Sequence, residues 1–180
     1  MPNIKPLRDI APHDIVPFFS FSGASANKGT FVSAIGAGLN FSTEMSLSDL
    51  SSLNGSFSSN FTVPWLMEPA ASGCAKASVL GMMVKDVRTV DENGYPLIYD
   101  SRKAAEMDVT VSGQAAPVAT KGFVLYSGIV GTPAFGSGAA IADAGDGSLK
   151  VIAATDAKAI GRFIGPKNTA GFAPLEFNVR

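Results

Sequence analysis

The chain has 180 residues, of which 16% are charged, and a formal net charge of −1. One Cys and one His exclude a disulfide framework, a Cys/His zinc site and most Cys–His or Ser–His catalysis. The balanced charge argues against nucleic acid as the main partner, and the 19 Gly and 11 Pro favour turns and strands over long helices.

The first residues, Met-Pro-Asn-Ile-Lys-Pro-Leu-Arg-Asp, lack an apolar core of signal-peptide length. No stretch approaches the roughly 18 to 20 apolar residues of a membrane span. The expectation is a soluble chain made in a cytoplasm, with no membrane partner and with Cys74 as a small buried hydrophobe. Residues 1–20 carry Pro2, Pro6, Pro12 and Pro17, which remove donors and disfavour helix, so they are read as an extended arm. Its apolar residues are too many for a solvated tail. Ile4, Leu7 and Ile10, beside Lys5 and Arg8, form the candidate interface and are expected to dock on another subunit or on the shell. Ile15 to Phe19 are expected to enter the chain's own barrel. His13, between Pro12 and Asp14, is expected at the surface or an interface, not as a general base.

Residues 21–180 are read as a single β-domain with a Ser-rich insertion around 42–60. Strands are expected over 18–22 and 30–35. Within the insertion, Leu47, Leu50 and Leu53 lie three apart before Gly55, which fits either a short amphipathic helix or an irregular polar loop. Trp65, among Pro64, Pro69 and Gly73, anchors a connection. Residues 79–90 form a β-branched run, Asp91-Glu-Asn-Gly94 is a strong turn signal, and 95–99 should return as a hairpin. Asp100 can cap a short helix over 101–107. Further strands are expected over 109–112, 121–129 and 149–153, and a closing hairpin over 159–164 and 172–179. The fold class is therefore mainly β: a turn-rich small barrel or sandwich with at most two short helices.

Two segments resemble each other. Phe19-Ser-Phe-Ser-Gly23 precedes Lys28-Gly-Thr-Phe-Val32, and Val109-Thr-Val-Ser-Gly113 precedes Lys121-Gly-Phe-Val124. The gaps differ by three residues, which favours shared turn chemistry or coincidence over two equivalent hairpins.

Several motifs invite a chemical reading. Ser25-Ala-Asn-Lys28 has the Ser-x-x-Lys spacing of acyl-transfer enzymes but lacks their companion elements and sits on a turn. Asn27-Lys-Gly-Thr30 lacks the leading glycines of a phosphate loop. Residues 131–138 supply glycines without a lysine and are read as a flexible loop. Asp143, Asp146 and Gly147 lack the ligand alternation of a calcium loop and read as a turn. Glu68, Asp100, Glu106 and Asp108 offer carboxylates, but no spacing fixes two across a cleft. Asn40, Asn54 and Asn60 head glycosylation sequons that read as by-products of the Ser-rich stretch. No catalytic, cofactor-binding or metal-binding residue is assigned.

Residues 81–179 resemble the head decoration, or cement, proteins of tailed bacteriophages. The features that carry this are the Val-rich run into Asp91-Glu-Asn-Gly94, Tyr99-Asp-Ser-Arg-Lys-Ala-Ala-Glu-Met-Asp108, Val111-Ser-Gly-Gln-Ala115 and Thr120-Lys-Gly-Phe-Val124. Ile160-Gly-Arg-Phe-Ile-Gly165 and Gly171-Phe-Ala-Pro-Leu-Glu-Phe177 look like the family's final hairpin, and Lys28-Gly-Thr-Phe-Val32 like an opening strand. The resemblance implies a non-enzymatic virion protein on the capsid exterior, made in the host cytoplasm. It would bridge neighbouring major capsid subunits without a cofactor, and the arm would dock on a neighbour or on the shell. It also implies a homo-oligomer, a trimer before a dimer, and an edge-rich β-domain is expected to cover its edges with copies of itself. The alternatives are a tail-tube or fibre β-domain, or a carboxylate-based glycan-acting enzyme.

Overall fold

The structure, a computed structural model, describes residues 2–34 and 66–179. The Ser-rich insertion, its leucine spacing, the three sequons and Trp65 lie outside the described residues. The described chain is mainly β. Its first strands are β1 (Ile4–Pro6), β2 (Ile15–Phe21), β3 (Phe31–Ala34), β4 (Leu66–Pro69), β5 (Val79–Met83) and β6 (Asp86–Arg88). One helix, α1 (Ser101–Glu106), leads into β7 (Val109–Val111), β8 (Ala115–Ala119), β9 (Lys121–Tyr126) and β10 (Ile129–Val130). The chain closes with β11 (Gly138–Ile141), β12 (Leu149–Ile152), β13 (Gly161–Phe163) and β14 (Ala173–Asn178).

Five strands close a small barrel in the order β2-β4-β3-β5-β8, as the sequence pattern predicts. Seven others form a sheet in the order β1-β9-β14-β13-β11-β12-β10, and β6 and β7 make a parallel pair. Strand periodicity explains how barrel and sheet share one core. Neighbouring residues on a strand face opposite ways. Phe31 and Met82 thus join the main cluster with Tyr126, Leu149, Phe163, Leu175 and Phe177 of the sheet. Val32 and Met83 instead join Phe21, Met67, Ala116 and Val118 in a second cluster. Phe31 packs edge-on against Tyr126 at 5.9 Å and Phe177 at 5.6 Å between ring centroids.

The barrel is closed through a bulge built from two prolines. β2 pairs with β8 as Val16↔Val118 and then Phe19↔Ala116, so Pro17 and Phe18 stand opposite Pro117 alone. Proline lacks the N–H that a regular ladder needs, and a bulge tolerates it. The turn after β11 ties sheet to barrel. Phe31 N–H donates to the Gly147 carbonyl at 3.0 Å, and Gly147 has φ +71 with the Phe31 carbonyl where a Cβ would stand. Only glycine meets both demands.

The arm departs from expectation. β1 is an edge strand of the chain's own sheet, registered from Ile4↔Tyr126 to Pro6↔Val124. Ile4 is 3% exposed in the main core, and Ile10 packs against that core. Docking of these two residues on another subunit is therefore corrected. The edge of β9 offers unpaired backbone groups, and burying Ile4 there removes its apolar surface from water. The boundary expected at residue 20 also falls inside β2. Lys5, Leu7 and Arg8 remain exposed, with the Lys5 ammonium 4.9 Å from the Phe172 ring centroid.

The run over 79–90 is two strands, β5 and β6, and the run over 121–129 contains β9 and the start of β10. The expected hairpin over 91–99 shrinks to one bridge, Val90↔Pro96, because Pro96 cannot donate and a 3-10 turn follows at Leu97–Tyr99. Asp100 caps α1 as predicted, its carboxylate accepting from Lys103 N–H at 2.9 Å. Leu97, Ala104 and Val111 close a small separate cluster beneath this excursion. The two similar Ser-Gly segments are not equivalent hairpins: β2 and β3 lie in the barrel without pairing, while β7 and β9 belong to different sheets. They do touch, for the Ser112 hydroxyl donates to the Gly23 carbonyl at 3.1 Å.

The edges that could pair with copies of the chain are few: β1, β10 and the β6–β7 pair. The five barrel strands have no open edge. At β10 the Lys167 ammonium donates to the carbonyls of Ile129 and Gly131, each at 2.8 Å. A lysine in that position blocks strand addition.

Candidate interaction surface

The motifs that suggested chemistry resolve into structural work. The stretch containing Ser25 and Lys28 is pinned to β6. Lys28 N–H donates to Asp86 at 2.6 Å, while the Arg88 guanidinium donates to the Ala26 carbonyl and the Asn27 side chain, each at 2.8 Å. Arg88 also meets Asp86 at 3.2 Å, so one guanidinium holds the whole turn. This clamp was not legible beforehand, because its partners are some sixty residues apart in sequence.

The carboxylates are similarly committed. Asp100 caps α1, Glu106 pairs with Arg102 at 3.1 Å and Asp108 with Lys85 at 2.6 Å. Glu68 lies exposed on β4, opposite Ser33 of β3. Asp143 accepts from Lys150 at 2.7 Å, and this contact holds its carboxyl below the usual range. Asp146 accepts from the hydroxyl and N–H of Ser148, the hydroxyl being the larger cause of its lowered pKa. Both belong to the turn, as its Asp-Gly sequence suggests. Among the described residues no three His, Cys, Asp or Glu side chains come together as a metal-binding group.

His13 is exposed and stands 3.7 Å from Asp14. Cys74 is half-buried, and burial pushes its thiol pKa up, which lowers its thiolate fraction. Tyr126 is wholly buried, and its hydroxyl is the one buried side-chain polar atom without a hydrogen-bond partner among the described residues.

Besides Leu7 in the N-terminal segment, the large apolar side chains left in solvent form two groups. Tyr99 is 78% exposed and Tyr95 57%, with Val90 beside them on the excursion between β6 and α1. Its turn is rigidly made: Asp91 accepts from Asn93 N–H and Tyr95 N–H, each at 2.8 Å, and these donors hold its pKa low, Tyr95's first. Glu92 and Lys103 then link the turn to α1 at 2.6 Å.

The second group is Phe135, 81% exposed, with Val130. Its loop, read from sequence as flexible, is braced. Ser137 closes on Ala134 through its hydroxyl, Gly136 N–H donates to the Phe163 carbonyl and Phe163 N–H to the Ser137 carbonyl, the last two at 2.8 Å. Both excursions therefore present aromatic rings on backbone that is already ordered, which lowers the entropy cost of a contact. Neither group could be found from sequence, where an aromatic residue in a turn-rich stretch reads equally as an anchor to the core.

Neither a protein-family model nor a curated protein matches the chain.

Proposed function

We propose that this chain is a structural virion protein that decorates the head of a tailed phage and cements it by bridging neighbouring major capsid subunits from outside. It does so without catalysis or cofactor, and as a homo-oligomer, a trimer in preference to a dimer. The observation that carries this reading is the pair of braced excursions holding Tyr99, Tyr95 and Phe135 in solvent. Aromatic residues are enriched where proteins meet, and a few of them supply most of an interface's energy. Such exposure has a cost to solubility that a docking role explains. The blocked edge at β10 and the closed barrel leave fewer strands open to addition, which favours contacts made by side chains.

The test is co-sedimentation with phage heads purified without the protein. The wild-type chain should pellet with the heads at a fixed stoichiometry. A Tyr99→Ser, Phe135→Ser double variant should keep its melting temperature and lose most of its binding. Failure of the wild-type chain to pellet, or equal binding by the variant, would contradict the reading.

A further inference from the structure

The outward face of the seven-stranded sheet carries a feature that the aromatic groups do not use. The registers Glu176↔Arg162 and Asn178↔Lys121 set Lys121, Glu176 and Arg162 on one face, opposite the core residues Phe177 and Val124. Together with Lys76 from the 3-10 turn before β5, they ring a basin of about 400 Å³. Ala159 and Gly161 also line it, and the space beside Gly161 is taken by the chain's own β14, whose Glu176 carbonyl stands where a Cβ would be.

The charges are unbalanced. Glu176 is already paired with Arg162 at 2.7 Å. Lys76 and Lys121 have no ion pair or side-chain hydrogen bond among the described residues. Elsewhere Lys85, Arg88, Arg102, Lys103 and Lys150 each meet a carboxylate within 3.2 Å, while Lys5, Arg8, Lys28 and Lys158 also lack an ion pair among the described residues but do not line this basin. In a chain of net charge −1, two unpaired cations beside a third is a local excess. We propose that this basin is a docking site for an acidic peptide segment of a partner protein, whose carboxylates meet Lys76, Lys121 and Arg162. A segment with two or three carboxylates balances the basin. A polyphosphate chain needs a longer cationic track than these three side chains provide. This site stands apart from the capsid reading, because its test uses the isolated protein.

The probe is a fluorescein-labelled hexapeptide amide with three carboxylates, Glu-Glu-Phe-Ala-Glu-Ala, followed by anisotropy at low and high salt. Wild-type protein should bind it, and salt should weaken binding. Lys76→Glu and Lys121→Glu should each lower affinity about fivefold, near the upper end for an exposed ion pair, and Lys28→Glu less than about twofold. Three results would overturn the proposal. They are no wild-type binding at about 1 mM peptide, equal losses in all three variants, or equal binding of a labelled oligothymidylate.

Discussion

Replacing Tyr126 with Phe removes one oxygen from the middle of the main core. Tyr126 is 0% exposed, it pairs with Ile4 on one side and Ala173 on the other, and its ring packs on Phe31. Phe keeps the ring and these contacts. Among the described residues its hydroxyl has no partner, so folding strips it of water without return. An unsatisfied buried donor costs about 1 to 3 kcal/mol, so Tyr126→Phe should raise unfolding free energy by about 1 kcal/mol or more. Guanidinium unfolding followed by circular dichroism would measure this as a higher midpoint at unchanged slope. The difference should grow with alkali. Burial first, and the charge of Asp146 second, raise the folded-state pKa above its ordinary value of 10.0. Below pH 10 the phenol is neutral in both states and pH has no effect. Above it the unfolded phenol ionises while the folded one does not, so the wild-type chain loses stability at up to about 1.4 kcal/mol per pH unit. The Phe variant should lack that component. A loss of 1 kcal/mol or more at neutral pH would refute the reasoning, by showing that the hydroxyl makes a bond worth more than its burial costs.

Gly147→Ala should destabilise by roughly 2 kcal/mol or more, since it adds a clash with the Phe31 carbonyl to a left-handed backbone. Gly94→Ala, at φ +82 in open space, should cost about 1 kcal/mol; equal costs in paired melts would remove the role given to close approach. Asp100→Ala should lose about 1 kcal/mol through the missing cap, read by chemical denaturation, and an unchanged midpoint would deny the cap a share in stability. Ile4→Ala should cost about 2 to 4 kcal/mol, and deletion of residues 2–11 should lower the melting temperature by several degrees or more. Normal melting of the truncated chain would return the segment to the role of a free arm.

Local signals in the sequence proved legible where neighbours in the chain are also neighbours in space. The Asp100 cap, the Asp143–Gly147 turn and the closing β13–β14 hairpin are of this kind. Strands made of small residues were harder to see. β8 reads Ala-Ala-Pro-Val-Ala and β11 reads Gly-Ala-Ala-Ile, with little β-branched content, yet β11 is buried throughout. Their burial comes from strands packed over them, not from their own propensity. The pairing of β1 with β9 joins residues more than a hundred positions apart, so the arm's apolar residues reported that a surface was needed without saying whose. The same limit hid the Arg88 clamp. For the interaction surface, composition pointed away from metal and nucleophile chemistry, while the aromatic display on braced loops became visible only once the core had claimed the other rings.

Electron microscopy of the native phage particle tests the central claim most directly. The account predicts a density on the outer face of the head that fits the five-stranded barrel and the seven-stranded sheet. At least two capsid subunits should meet that density, with Tyr99 or Phe135 at a contact. The same density found in the tail tube or a fibre, or a complete head from a producing host without any such density, would contradict it.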